Sequence, residues 1–179
     1  DWVILSVPAV QAANLLAAVP DLAEEAGSAL MEGCWAAMLS FDNALERTWD
    51  AAFVQDSPLS WIACNSSKPG RVECPQTWVL HGSPEWSASR LDNDASEILP
   101  EMLDAFWQAT GIRPSEPTVA TAHRWRYAIT LGPLDEPCLC HSDLQVGACG
   151  DWCSEARVEG AFLSGQAMAG RVLCKHFLP

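Results

Sequence analysis

Positive charge is scarce in this sequence. Lys and Arg number 10 against 23 Asp and Glu, a formal net charge of −13 with neutral His. So acidic a chain repels phosphate backbones, which disfavours nucleic acid as a partner. Long apolar runs are missing too, and none approaches the ~20 residues a membrane-spanning helix needs. Residues 2–7 are too short for the apolar core of a secretory leader and lack a basic flank. There are no internal repeats and no low-complexity segments. What is present is globular: 179 residues, 49% apolar and 18% charged. That suffices for one domain, or one domain and part of another, around a sizeable core.

Eight cysteines stand at 34, 64, 74, 138, 140, 149, 153 and 174. The chain is too long and its core too rich to need a disulfide framework. Reduced thiols and a cytoplasmic location are expected. Cys34, Cys149 and Cys174 lie in apolar surroundings, where free cysteine acts as a small hydrophobe. Cys138, Cys140, His141, Cys149 and Cys153 offer five soft ligands in sixteen residues. Zinc would need four of them converging at ~2.0–2.3 Å. The paired C-x2-C knuckles are absent, and on a strand 138 and 140 face one way while 141 faces the other. No metal is assigned on this spacing, and a small zinc protein stays only as an alternative.

Residues 3–7 read as a strand buried on both faces and ended by Pro8. Residues 9–19 read as an Ala/Leu-rich helix that Pro20 breaks, and 21–31 as a second helix with an acidic first turn. Further strands are expected over 34–41, 52–55, 77–81, 118–129, 138–140 and 144–149. Ser57-Pro58 and Ser83-Pro84 each place a capping serine before a first-turn proline, so helices are expected over 57–64 and from 83. Residues 94–110 form the longest amphipathic helix of the middle region. Ile98, Met102, Leu103, Ala105, Phe106 and Ala109 share its apolar side, and Gly111 is its C-cap. The last helix covers 157–174. The fold class that follows is α+β, a mainly antiparallel sheet with helices on one face. The two ends differ: 3–7 and 146–149 are buried-type strands, each followed by a helix, like pieces of a parallel sheet.

The most informative stretch runs from Val146 to Gly165. It is a buried strand, a Gly150-Asp151 turn, a short loop, and a helix rich in small residues. Asp151 is a carboxylate at a strand's carboxyl end, where α/β sheets bind ligands. The helix starting near Arg157 presents free N–H groups and a positive dipole end. An ordinary turn followed by close helix-on-sheet packing accounts for the same pattern nearly as well.

Gly150-Asp151-Trp152 together with Arg157-Val158-Glu159-Gly160-Ala161-Phe162-Leu163-Ser164-Gly165 resembles the C-terminal flavin motif of FAD-dependent amine oxidases. The bacterial renalase-like branch is the nearest likeness. Residues 3–12, 53–61, 67–71, 77–81 and 122–128 are similar to family segments in the same order. The resemblance implies that Asp151 meets the ribityl or pyrophosphate region of FAD. It implies that Gly150, Trp152, Arg157 and the backbone of Val158, Glu159, Gly160 and Ala161 line the cofactor. The activity it implies is hydride transfer from an isomeric dihydronicotinamide nucleotide or an amine to flavin, with O2 reoxidation to H2O2. His123, Trp125 and Tyr127 alternate along one strand and would form the substrate wall, with the catalytic role assigned to them. A structural role for His123 fits the sequence about equally well, and a core role for Trp125 fits it better.

The family's G-x-G-x-x-G turn does not occur in this sequence. The expected organisation is therefore a residual strand and crossover from an FAD-binding domain (1–10), a substrate-binding domain (11–143), and the last strand and helix of the FAD-binding domain (144–179). The expected partners are the substrate and an N-terminal FAD-binding half, and the piece alone is expected to be inactive. The alternative is a binding module whose orphan strands pair with another chain or a second copy. The opening Asp1-Trp2-Val3, without Met, is read as processing or as the edge of something longer.

Overall fold

The computed structural model describes residues 1–177, with side chains described through Cys174. The chain forms two compact units, one of Asp1–Glu32 with the chain from Tyr127 onward, the other of Gly33–Arg126. The divisions thus fall after 32 and 126, not at 10 and 143; residues 178 and 179 of the last expected segment lie outside the described residues. The reason is visible in the first unit's core.

That unit contains β1 (Val3–Leu5), α1 (Ala9–Leu15), α2 (Pro20–Ser28), β7 (Leu139–His141), β8 (Val146–Ala148) and α5 (Val158–Phe177). Its sheet runs β1-β8-β7. β1 is parallel to β8, pairing Ile4 with Gly147, and β7 is antiparallel to β8, pairing Cys140 with Gly147. Ala9, Ala12, Leu16, Leu22 and Ala26 of the two helices share one buried cluster with Leu139, Ala148, Trp152 and Cys153. The small side chains at 9, 12 and 26 let both helices pack close to the strands. The helices therefore belong with this sheet rather than with the middle of the chain.

Two expectations for this unit change. β1 is not buried on both faces: it is an edge strand, with Val3 59% and Ile4 45% exposed. Pro20 does not simply end a helix but occupies the first turn of α2, where its missing N–H costs nothing. α2 in turn stops at Ser28, whose hydroxyl bonds back to the Glu25 carbonyl at 2.8 Å. The chain is then free to enter the strand β2 (Leu30–Phe41), which starts four residues earlier than the sequence suggests.

The second unit carries β3 (Ala51–Phe53), β4 (Leu59–Cys64), β5 (Gln76–Gly82), α3 (Pro84–Ala88) and α4 (Ala95–Thr110). It also holds most of β2 (Leu30–Phe41) and the first half of β6 (Val119–Gly132). The sheet order is β3-β4-β5-β2-β6. β3 with β4, β4 with β5 and β5 with β2 pair antiparallel. Trp35, Ala37, Leu39, Phe41, Ile62, Cys64, Trp78 and Leu80 point to one face and are buried with Ile98, Met102, Ala105 and Phe106 of α4. This is the expected α+β layer.

α4 starts as expected. Asp94 and Glu97 form a reciprocal capping box, and Gly111 closes the helix at φ 66°. Ala109, placed on the apolar side by its spacing, is exposed in the last turn. Residues 59–64 are a strand, not the expected helix. Leu59, Ile62 and Cys64 are buried in the sheet core, and β3 and β5 supply hydrogen-bonding partners on both edges. Such flanking pairs outweigh a local capping signal.

Candidate functional site

The second unit has one sheet face sealed by α4 and one face left open. The alternation of the strands decides which side chains lie on the open face. One cross-strand row is Phe53, Trp61, His81 and Ala36; the next is Ala51, Ala63, Val79 and Met38. Phe53 packs on Trp61 with ring centroids 4.7 Å apart, and still leaves 85% of its own surface to solvent. Met38 is also exposed. On β6, Ala120 and Ala122 pack against the α4-side core, so His123 and Trp125 project from the other face. Their rings meet edge to face at 4.6 Å, and Trp125 is 56% exposed.

Arg124 and Arg126 point away from that face. Arg124 donates to the Leu91 carbonyl at 2.7 Å, and its guanidinium lies 5.7 Å from the Trp35 ring. Arg126 pairs with Asp92 at 3.4 Å. The paired rows and the β6 positions therefore carry aromatic, aliphatic and imidazole groups, without a Lys, Arg, Asp or Glu. Tyr127 follows Trp125 on β6, is half-buried, and belongs to the first unit.

Trp61, Phe53, Met38 and Val79 were not singled out by the sequence as candidates. The signal was partly present, since 79 and 81 share strand parity. Reading 57–64 as a helix hid Trp61 and its pairing with Phe53. Trp61 is half-buried on the open face. His81 lies between Trp61 and Ala36 in register. Part of the residue is solvent-exposed, and the burial of the rest holds its pKa below the usual histidine value.

The first unit carries the loop that follows β8. Cys149 donates its N–H to the Leu5 carbonyl at 3.0 Å, and Gly150 donates to the Ser164 hydroxyl at 3.1 Å. Trp152 then turns inward. It is 1% exposed, and its indole N–H donates to the Val7 carbonyl at 3.0 Å. A Cβ on Gly150 would meet that indole, so glycine here makes room for Trp152. Asp151 lies beside it, half-buried, and its carboxylate makes no hydrogen bond or ion pair among the described residues.

α5 begins at Val158 with its first-turn N–H groups lacking intrahelical partners. Arg157 and Glu155 approach to 3.9 Å at the surface ahead of it. Val158, Glu159 and Ala161 are exposed, while Gly160 is buried where a Cβ would strike the Glu155 carbonyl. Asp151 thus offers hydrogen-bond acceptors, and the start of α5 offers donors. Ribityl hydroxyls need acceptors, and a flavin N1/C2=O edge needs donors and a positive dipole end. The donor set fits the group, with Trp152 supporting the loop from inside.

Among the described residues, no group of three or more His, Cys, Asp or Glu side chains is arranged to hold a metal. The five residues of the zinc alternative do not form such a centre. All eight cysteines are free thiols. Cys34 and Cys149 are buried as small hydrophobes would be, but Cys174 is exposed. Among the described residues no helix is long and apolar enough to cross a membrane.

No family model matches the sequence. Solved structures do match its fold. A candidate protoporphyrinogen oxidase from Exiguobacterium sp. 255-15 superposes with TM-score 0.72 at 12% identity, over 99% of this chain and 42% of its own. Cyclohexylamine oxidase from Brevibacterium oxydans IH-35A gives 0.61 at 13% identity, over 96% and 42%. A reduced UDP-galactopyranose mutase gives 0.65 at 11% identity, over 97% and 41%. The chain spans about two fifths of the length of these proteins. Its fold is that of the corresponding portion of these proteins.

Proposed function

We propose that this chain is the substrate-binding portion, with the last strand and helix of the cofactor domain, of an FAD-dependent oxidase. The observation that carries the reading is the open face of the second unit's sheet. A wall of Phe53, Trp61, His81, His123 and Trp125 suits a planar ring stacked flat against it. A dihydronicotinamide has that shape, and the wall's lack of a carboxylate favours it over a cationic amine. Tyr127 extends the same strand, and the catalytic assignment to His123, Trp125 and Tyr127 is kept for the substrate side.

Asp151 would hold the ribityl hydroxyls, and the N-terminal turn of α5, from Val158 to Ala161, would face the flavin N1/C2=O edge. Arg157 stands ready for phosphate. The group itself would supply hydride acceptance and reoxidation by O2. These residues bind, orient and stabilise negative charge; none needs to move a proton. The complementary FAD-binding half is the expected partner. It would cover the edge of β1 and the exposed Val158, Phe162 and Leu173 of α5. Pairing of two copies through β1 is the other reading of the same edge, and sedimentation at rising concentration distinguishes a monomer from that dimer.

The test is the reading frame upstream of Asp1 followed by binding. A G-x-G-x-x-G segment there supports the proposal, and its absence overturns it. In the joined protein, Trp125→Ala should raise KM for a dihydronicotinamide by about tenfold while leaving the flavin spectrum unchanged. An unchanged KM would remove Trp125 from the substrate wall.

A further inference from the structure

The sequence groups four cysteines near the end of the chain, and the zinc reading does not absorb them. The structure arranges them differently. β7 and β8 pair Leu139 with Ala148, Cys140 with Gly147 and His141 with Val146. Continuing that register by one residue sets Cys138 opposite Cys149. Both thiols are buried, 5% and 7% exposed, in one apolar cluster with Met168 of α5. They lie close enough to perturb one another electrostatically. Facing residues of antiparallel strands have Cα atoms about 4.5–5.5 Å apart, inside the range a disulfide spans. Cys138 also has a cation near it: Arg171 of α5 lies close enough to favour its thiolate.

We propose that Cys138 and Cys149 form a peroxide-oxidisable dithiol that closes to a disulfide across β7 and β8. In the first step the Cys138 thiolate attacks a peroxide oxygen. The O–O bond breaks, and with a proton the products are a Cys138 sulfenic acid and one water. In the second step the Cys149 sulfur, giving up its proton, attacks the Cys138 sulfur. The S–S bond forms and the S–O bond breaks, and the departing hydroxide takes the proton as a second water. Two thiols and one hydrogen peroxide become one disulfide and two waters, a two-electron oxidation of the pair.

Arg171 is the group that favours the reactive thiolate. Burial opposes it and raises both thiols above the usual cysteine value. Oxidation should therefore be slow at neutral pH and faster as the pH rises. Cys140 shares the face of Cys138 but stands opposite Gly147, which has no thiol to offer. Cys153 is also close enough to feel both thiols, but it belongs to the neighbouring cluster and lies beyond the β7–β8 pairing.

The experiment uses the whole chain, reduced, desalted and exposed to hydrogen peroxide. Endoproteinase cleavage before Asp135, Asp143 and Asp151 separates Cys138 and Cys140 from Cys149, and Cys149 from Cys153. The expected product is a reducible link between fragments 135–142 and 143–150, with fragmentation placing it at Cys138. Cys149→Ala should leave a Cys138 sulfenic acid that dimedone captures. Arg171→Met should slow the oxidation by about tenfold and still reach the same link. A Cys149–Cys153 link overturns the proposal. So does oxidation confined to Cys74, Cys140 or Cys174. Unaltered kinetics in Arg171→Met would remove the cation from it.

Discussion

Replacing Gly150 by alanine tests whether that glycine serves its neighbour's packing. The new Cβ would lie 2.5 Å from Nε1 and 2.8 Å from Cδ1 of Trp152. Optimal contacts of such atoms are nearer 3.5–4.0 Å. Gly150 does not use the left-handed region, so the penalty is steric alone. The indole is fully buried and tied to the Val7 carbonyl, so it cannot move away freely. Overpacking costs about 1–3 kcal/mol, and leaving a buried donor unpaired costs about 1–3 more. The expected loss is about 2–6 kcal/mol. At ~2–4 °C per kcal/mol for a chain of this size, the melting midpoint should fall by ~4–24 °C.

A double-mutant cycle isolates the cause. Trp152→Phe removes both the N–H and the ring edge that the Cβ would meet. In that background Gly150→Ala should cost less than about 1 kcal/mol, a coupling of at least ~1 kcal/mol. Thermal unfolding followed by far-ultraviolet circular dichroism reads all four proteins. A wild-type midpoint for Gly150→Ala, or equal costs in the two backgrounds, refutes the packing account. Gly150 would then owe its place to something outside this loop.

The other predictions concern the second unit. Asp94→Ala removes one half of the α4 capping box and should cost about 1–2 kcal/mol in denaturant unfolding, whereas Asp94→Asn should retain most of it. His81 prefers the neutral imidazole because burial lowers its pKa below 6.5. The unfolded chain therefore binds this proton more readily than the folded one. The His81 contribution is fully present above about pH 6.5 and is lost as the pH falls toward the folded value. His81→Gln should flatten that part of the stability–pH curve; an unchanged curve would assign the dependence elsewhere.

The elements that the sequence showed best carry their own stop and start signals. α4 has Asp94 and Glu97 at one end and Gly111 at the other, and its bounds follow within a residue. The Val146–Gly165 pattern likewise indicated a strand, a loop and a helix in the right places. What could not be read was pairing. β1 is apolar enough to be a central strand, yet it occupies an edge, because strand position in a sheet depends on which other strands are there. Trp152 shows the limit at the candidate site. Its place beside Asp151 suggests a ligand contact, but its indole reaches Val7, far away in sequence. Only the fold brings the two together.

Ser57-Pro58 and Ser83-Pro84 make the same point within one unit. Both pairs present an oxygen acceptor before a proline, and both serines accept from backbone two or three residues on. Ser83 takes the N–H of Trp86 and starts α3. Ser57 takes the N–H of Leu59, and a strand follows. A serine hydroxyl supports a turn equally well ahead of either element. The outcome rests on what lies beyond it. After Ser83-Pro84 the chain holds Glu85, Trp86, Ser87 and Ala88, of which only Trp86 and Ala88 are apolar, so no apolar row for a sheet core follows. After Ser57-Pro58, Leu59, Ile62 and Cys64 fall on the core side once a bulge at Ser60 resets the alternation. That bulge breaks the period-two pattern by which a strand is recognised, and it leaves an i, i+3 spacing that mimics a helix. The same extra residue turns Trp61 to the open face beside Phe53. The irregularity that made the strand unreadable is thus what places an aromatic ring on the candidate substrate wall.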